Sequence, residues 1–312
     1  MPKRHGRFSK SLQTVEILLE QGSLADIRSA KQLTANLLKY YWNYYSELAR
    51  QRNEIQDEIK QVLVRSCISN FEFKQWQRAV KYKYGLHPLS TIGSLNYIGG
   101  RFNTGIDVNS EVPSFPGLYL AKDKDKDTAL QEHLGQEKLY NKSKLTPREL
   151  ALTNPSSETI VSISGQLEKV FDLTKEKKLK QFVKLIKTFK LSKELINFAK
   201  QLGMKKPGVI KTTKQLLETL LHNEWRSLPS NHDVPANSQI FGHLIYSAGI
   251  EGILYSSKFT GKQCLAIYPR NFAETNSFLL MDDDAPHKKV PTLIDEKNWR
   301  FCELSFNELP EI

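Results

Sequence analysis

The sequence predicts an α+β protein, and three observations carry that prediction. From Leu24 to about Ser66 apolar residues recur at spacings of three and four, with no Gly or Pro inside the run. At Gly85, His87 and Pro88 the pattern breaks, and Gly pairs, turns and short β-rich runs follow. Helical stretches separate those runs without strict βαβ alternation, which points to a mixed sheet with surrounding helices.

In chain order, Leu12, Val15, Leu18 and Leu19 start a helical spacing, and Leu33, Leu37, Tyr40, Tyr41, Tyr44, Leu48, Ile55, Ile59 and Leu63 continue it. Residues 1–84 therefore read as an all-helical N-terminal module. Its aromatic block, Lys39–Tyr45, has the residues of a base-stacking platform, but helix–helix packing accounts for it more simply. Strands are predicted at Gly117–Ala121, Thr159–Ser164, Val170–Leu173, Gly252–Tyr255, Cys264–Pro269, Ser277–Met281 and Trp299–Phe306. Helices are predicted at Thr128–Tyr140, Lys175–Leu202, Thr212–Arg226 and Ser238–Ala248.

Composition narrows the function classes. With 39% apolar residues, 15 Phe, 12 Tyr and 4 Trp, the 312-residue chain can fill a core. No apolar run approaches a membrane span, and no apolar segment follows the basic start Met-Pro-Lys-Arg-His-Gly-Arg. Cys67, Cys264 and Cys302 have neither disulfide nor metal spacing, so a reducing cytoplasm is expected. Walker, G-x-S-x-G, Rossmann and H-E-x-x-H signatures are absent, and no metal is expected.

The net charge of +11 is concentrated: Thr174–Lys214 holds 13 Lys and 2 Glu with no Arg or Asp, which equals the excess of the whole chain. Leu179, Phe182, Val183, Ile186 and Phe189 form an apolar stripe, with Lys180, Lys184 and Lys187 mostly outside it. Nucleic acid and anionic lipid are the specific partners such a face suits. A solvated surface on a packed helix is the favoured explanation, and the missing Arg weighs against phosphate recognition.

Three short patches hold residues suited to chemistry. In Asn96–Asn103 two glycines precede Arg101, allowing close backbone approach and aiming a guanidinium. Gly117–Ala121 followed by Thr128–Glu132 reads as a strand, a charged loop and a helix carrying Glu132. Gly249–Lys258 reads as a buried strand ending in Ser256 and Ser257. Singly, each is explained by a surface turn, a solvated carboxylate or strand-capping hydroxyls.

Together, the order Gly-Gly-Arg-aromatic-Asn, Leu-Tyr-Leu-Ala, Thr-Ala-Leu-x-Glu and Gly-Ile-Leu-Tyr-x-Ser resembles the RES-domain family. Val170–Thr174, Trp225 and Gly242–Gly249 extend the likeness across roughly residues 85–275. The resemblance implies a compact ADP-ribosyltransferase-like mixed β core over 85–312, with a Lys-rich helical insertion at about 174–214. It also implies Arg101, Tyr119, Glu132 and Ser257 as catalytic residues, and Arg101, Phe102, Tyr119 and Lys258 as ligand-binding residues. Three departures stand out: Phe102 where Tyr or Trp is common, Ser256 where Pro is common, and Lys258 where Arg is common.

The activity implied is a toxin-like cleavage of the nicotinamide–ribose bond of NAD⁺, by hydrolysis or phosphorolysis, with NAD⁺ as substrate and an antitoxin as partner. Mono-ADP-ribosylation of a protein is the alternative within that chemistry. A non-catalytic interaction protein, or a nucleic-acid or membrane binder using the Lys-rich helix, is the alternative outside it. Residues 1–84 would then support the fold, dock a partner or mediate a homodimer.

Overall fold

The computed structural model describes residues 24–109, 111–122, 126–134, 158–304 and 308. The helical reading of 9–23 and 135–140 lies outside these residues, as does the end of the strand predicted to Phe306.

Two helices come first, α1 (Leu24–Glu54) and α2 (Gln56–Arg65). The sheet begins at β1 (Ile68–Lys81), inside the stretch expected to be helical, so the region before residue 84 is not all-helical. The reason is a bulge. Phe71 and Phe73 alternate on one parity, Trp76 and Val80 on the other, and the register with its partner strand shifts between Phe73 and Trp76. Gln75 sits there at φ +56°, with its N–H donated to Ser164 Oγ at 3.0 Å.

A two-residue hairpin follows, β2 (Gly99–Gly100) and β3 (Asn103–Thr104), then β4 (Leu118–Ala121) and α3 (Lys126–Leu134). Next comes β5 (Glu158–Asp172), a single strand covering both segments expected at 159–164 and 170–173. The helices α4 (Lys180–Ile186), α5 (Lys193–Gln201), α6 (Thr213–Leu220), α7 (Ser227–His232) and α8 (Asn237–Ser247) come before β6 (Gly252–Ser256) and β7 (Gln263–Ile267). Strands β8 (Phe278–Met281) and β9 (Leu293–Ile294) complete the sheet.

The sheet order is β1-β4-β7-β6-β5-β8-β9, and β1 also pairs along β5, so five strands close into a ring. All pairings are antiparallel except β5 with β6. Strand alternation sorts side chains between two cores. Leu118, Leu120, Leu254, Leu265 and Ile267 join one with Trp76 and Ile163. Ala121, Tyr255, Cys264 and Ala266 face the other, under α4, α6 and α8. Gly242 lets α8 lie against the hairpin, since a Cβ there would stand 2.1 Å from the carbonyl oxygen of Phe102.

The helix expected over Lys175–Leu202 is divided. Lys187–Leu191 interrupts it, and Ser192 restarts it by capping Leu195 N–H at 3.2 Å. Glu47 of α1 accepts both the Ser192 N–H and its hydroxyl. The stripe Leu179, Phe182, Val183, Ile186 and Phe189 is buried, while Lys180, Lys184, Lys187 and Lys190 are exposed. The strand expected at Trp299–Phe306 is instead a 3-10 turn over Trp299–Glu303. Cys302 is buried there, and its carbonyl accepts both the N–H and the hydroxyl of Thr91 at 2.7 Å. No described helix is long and apolar enough to cross a membrane.

Candidate active site

A cavity of about 230 Å³ opens among the β2–β3 hairpin, β1, β4, α3 and the segment before α7. The hairpin forms its lip. Gly99 pairs with Thr104 and Gly100 with Asn103, leaving Arg101 and Phe102 at the turn. Gly100 is required, because a Cβ would meet the Tyr119 hydroxyl at 2.6 Å. Three buried groups hold the turn in shape. The Tyr119 hydroxyl accepts Phe102 N–H at 2.9 Å and donates to Asn103 Oδ1 at 2.8 Å. Tyr268 donates to the Phe102 carbonyl at 2.8 Å. Gln239 Nε2 lies within hydrogen-bond distance of the carbonyls of Ile98, Asn103 and Gly100, at 2.7, 3.1 and 3.2 Å.

Arg101 is buried at 5% exposure, and its Nη1 donates to the His222 carbonyl at 2.8 Å. Its Cζ lies 5.8 Å from the Trp225 ring centroid, and that of Arg226 lies 4.7 Å from the same ring. Both arginines line the cavity. Burial depresses the Arg226 pKa, the Arg101 charge depresses it further, and Glu132 opposes both. Burial likewise pushes the Tyr119 phenol above its ordinary value.

Glu132 projects from α3 into the cavity. Ser257 donates to its Oε1 at 2.6 Å and Tyr255 to its Oε2 at 3.2 Å. Ser257 follows β6, is buried, and accepts the N–H groups of Phe259 and Thr260 at 3.2 and 3.4 Å. Thr128 of α3 donates to Thr260 Oγ1 at 2.9 Å, tying the helix to that turn. The carboxylate therefore has a fixed position set by two hydroxyls, one on β6 and one just after it.

The structure brings Arg101, Tyr119 and Glu132 together on the cavity wall and places Ser257 one layer behind, against Glu132. It does not bring in Phe102 or Lys258. Phe102 is fully buried, edge-on to the Tyr255 ring at 5.0 Å, and anchors the hairpin. Lys258 is exposed and lies off the cavity wall, because the turn at 257–262 aims it outward.

Arg78, Tyr255 and Arg226 are site residues that the sequence reading passed over. Arg78 of β1 is buried, donates Nη2 to the Ser90 carbonyl at 2.6 Å, and has a buried Nε with no partner among the described residues. Burial lowers its pKa to about 10. The Trp76-x-Arg78-x-Val80 alternation was the available signal for it. Chemically, the arrangement offers guanidiniums for anionic groups, a tyrosine ring for a planar one, and a carboxylate for a developing positive charge. Among the described residues no cluster of His, Cys, Asp or Glu could hold a metal ion.

No family model matches the chain, and no curated protein matches it in sequence. One solved structure that it resembles is a chain of the M. tuberculosis MbcT–MbcA toxin–antitoxin complex. The identity is 14% and the TM-score 0.35, over 67% of this chain and 80% of that one.

Proposed function

We propose that the protein cleaves the nicotinamide–ribose bond of NAD⁺. The observation that carries this reading is the Glu132 carboxylate, fixed by Ser257 and Tyr255 in a cavity lined by Arg101, Arg226 and Tyr119. Nicotinamide leaves neutral from a cationic state, and the ribose acquires oxocarbenium character at C1′. A fixed carboxylate stabilises that charge and accepts hydrogen bonds from ribose hydroxyls. Arg101 and Arg226 bind the pyrophosphate oxygens. The Tyr119 ring packs against the nicotinamide, since its hydroxyl is already engaged with the hairpin. Ser257 acts as a positioning residue, because its hydroxyl is given to Glu132 and it stands behind the cavity wall.

Water as acceptor gives hydrolysis and inorganic phosphate gives phosphorolysis. In either case the C1′–N bond breaks and its electron pair leaves with nicotinamide; water bonds C1′ and gives up one proton to solvent, whereas phosphate bonds C1′ through an oxygen that is already unprotonated. A toxin role held in check by an antitoxin belongs to the same reading, and it rests on the likeness of residues 85–275 to the RES-domain family. The test is purified protein with NAD⁺, with and without phosphate, following nicotinamide by chromatography against Glu132→Ala. Release by the wild type alone supports the reading. No release under either condition removes hydrolysis and phosphorolysis.

A further inference from the structure

A second cavity, of about 460 Å³, lies beside the aromatic block of α1 and shares no lining residue with the first. Its volume is in the ~300–1,000 Å³ range of small-molecule sites. The rings of Tyr40, Tyr41, Tyr44 and Tyr45 line it, with Arg52 and the exposed Lys205 as its cations and no carboxylate among its lining residues. Through Tyr44, Arg52 and Ile240 it adjoins a smaller chamber of about 80 Å³ with an apolar wall that includes Phe182, Phe189 and Phe241.

Arg52 is the unusual group. Its neighbours on α1 have settled partners: Arg50 pairs with Glu54 at 2.7 Å, and Glu47 holds Ser192. Among the described residues Arg52 has the face of Tyr45, 5.7 Å from its Cζ, and no carboxylate partner. Burial lowers its pKa to about 10, so it is charged at neutral pH with no counterion among the described residues. Burial pushes Tyr40 and Tyr41 up to about 12, so they stay neutral hydroxyls. A half-buried cation in an aromatic cavity without a described acid is stabilised by an anion that enters.

We propose that this cavity binds a small organic acid, one carboxylate on a flat or extended apolar body. The carboxylate pairs with Arg52, and the body lies between the tyrosines and the apolar chamber. The chemistry is independent of NAD⁺ cleavage and stands whether or not that activity is found.

The test uses the full chain with anilinonaphthalene sulfonate as a fluorescent probe, displaced by phenylbutyrate or by its neutral amide. Saturable fluorescence is expected, with the acid displacing the probe at about tenfold lower concentration than the amide. Arg52→Met should erase that difference, and Arg52→Lys should keep most of it. Ile240→Trp fills the cavity while leaving Arg52, and should abolish probe binding in a protein with unchanged circular dichroism. Equal displacement by acid and amide overturns the proposal, as does an Arg52→Met protein that still prefers the acid. Sedimentation showing a dimer that Ile240→Trp dissolves also overturns it, since the cavity would then be an interface between copies.

Discussion

The Ser257 hydroxyl and the Glu132 carboxylate meet at 2.6 Å across 125 positions of chain, one from the end of a strand and the other from the second turn of a helix. Neither residue is useful alone. An unheld carboxylate samples several rotamers, and a buried hydroxyl without an acceptor loses its bond to water. Ser257→Ala should therefore lower kcat for nicotinamide release by about tenfold to a hundredfold, the value of a hydrogen bond to a charged group. KM for NAD⁺ should change little. A large KM rise at unchanged kcat would place Ser257 on the substrate instead.

Glu132→Gln keeps the size of the side chain and removes its charge. The loss should be about 10²–10³-fold in kcat with the melting temperature unchanged. Full activity in a folded Glu132→Gln protein would remove Glu132 from the chemistry.

Arg226 has no carboxylate partner among the described residues and stands over Trp225 at the cavity wall. Arg226→Met should raise KM for NAD⁺ by about tenfold, with a smaller effect on kcat. With nicotinamide riboside, which lacks the pyrophosphate, the variant and the wild type should be equal. An equal loss on both substrates would mean that Arg226 shapes the cavity without touching phosphate.

Gly242→Ala places a methyl group where the Phe102 carbonyl oxygen lies, 2.1 Å from the new Cβ. Backbone must move, at a cost of about 1–3 kcal/mol. Urea unfolding should show that loss, and nicotinamide release should fall with it, because the same carbonyl anchors the hairpin carrying Arg101.

Burial lowers the pKa of His87, His232 and His243 below the ordinary 6.5. As pH falls through 6.5 the unfolded chain takes up these protons before the folded one, so stability drops until each folded pKa is reached. Each group adds at most about 1.4 kcal/mol per pH unit to the slope. Raised carboxyls at Glu251 and Glu303 act in the opposite sense in their own window above 4.5. Melting temperature should fall between pH 7.5 and 6.0, and His232→Phe should flatten that slope. A flat profile in the wild type would contradict the burial of these rings.

Sequence patterning revealed most of the sheet, because β4, β6, β7 and β8 are short apolar runs bounded by turns. It missed β1, where the bulge at Gln75 breaks the alternation and the partner strand lies about 90 residues away. Arg78 was lost with that strand. Glu132 and Arg101 were legible only through their order along the chain, since each alone reads as surface, and Tyr119 alone reads as one residue of a strand. What pattern could not give was depth. Phe102 sits in a motif beside Arg101 but points into the core, and Ser257 serves Glu132 from behind. Trp299–Glu303 has strand-like composition yet forms a 3-10 segment, with the Cys302 carbonyl held by Thr91.

The pairing of β1 with β5 has a kinetic consequence. Arg101, Tyr119 and Glu132 all lie in the loop that this pairing closes, whereas Ser257 lies beyond it. Closing a loop of that length costs entropy before the contacts between its ends are gained. The hairpin and Tyr119 are near in sequence, but Glu132 reaches Ser257 and Arg101 reaches the His222 carbonyl across more than 100 residues. Completing the cavity therefore carries the entropic cost of long-range closure that its local parts do not.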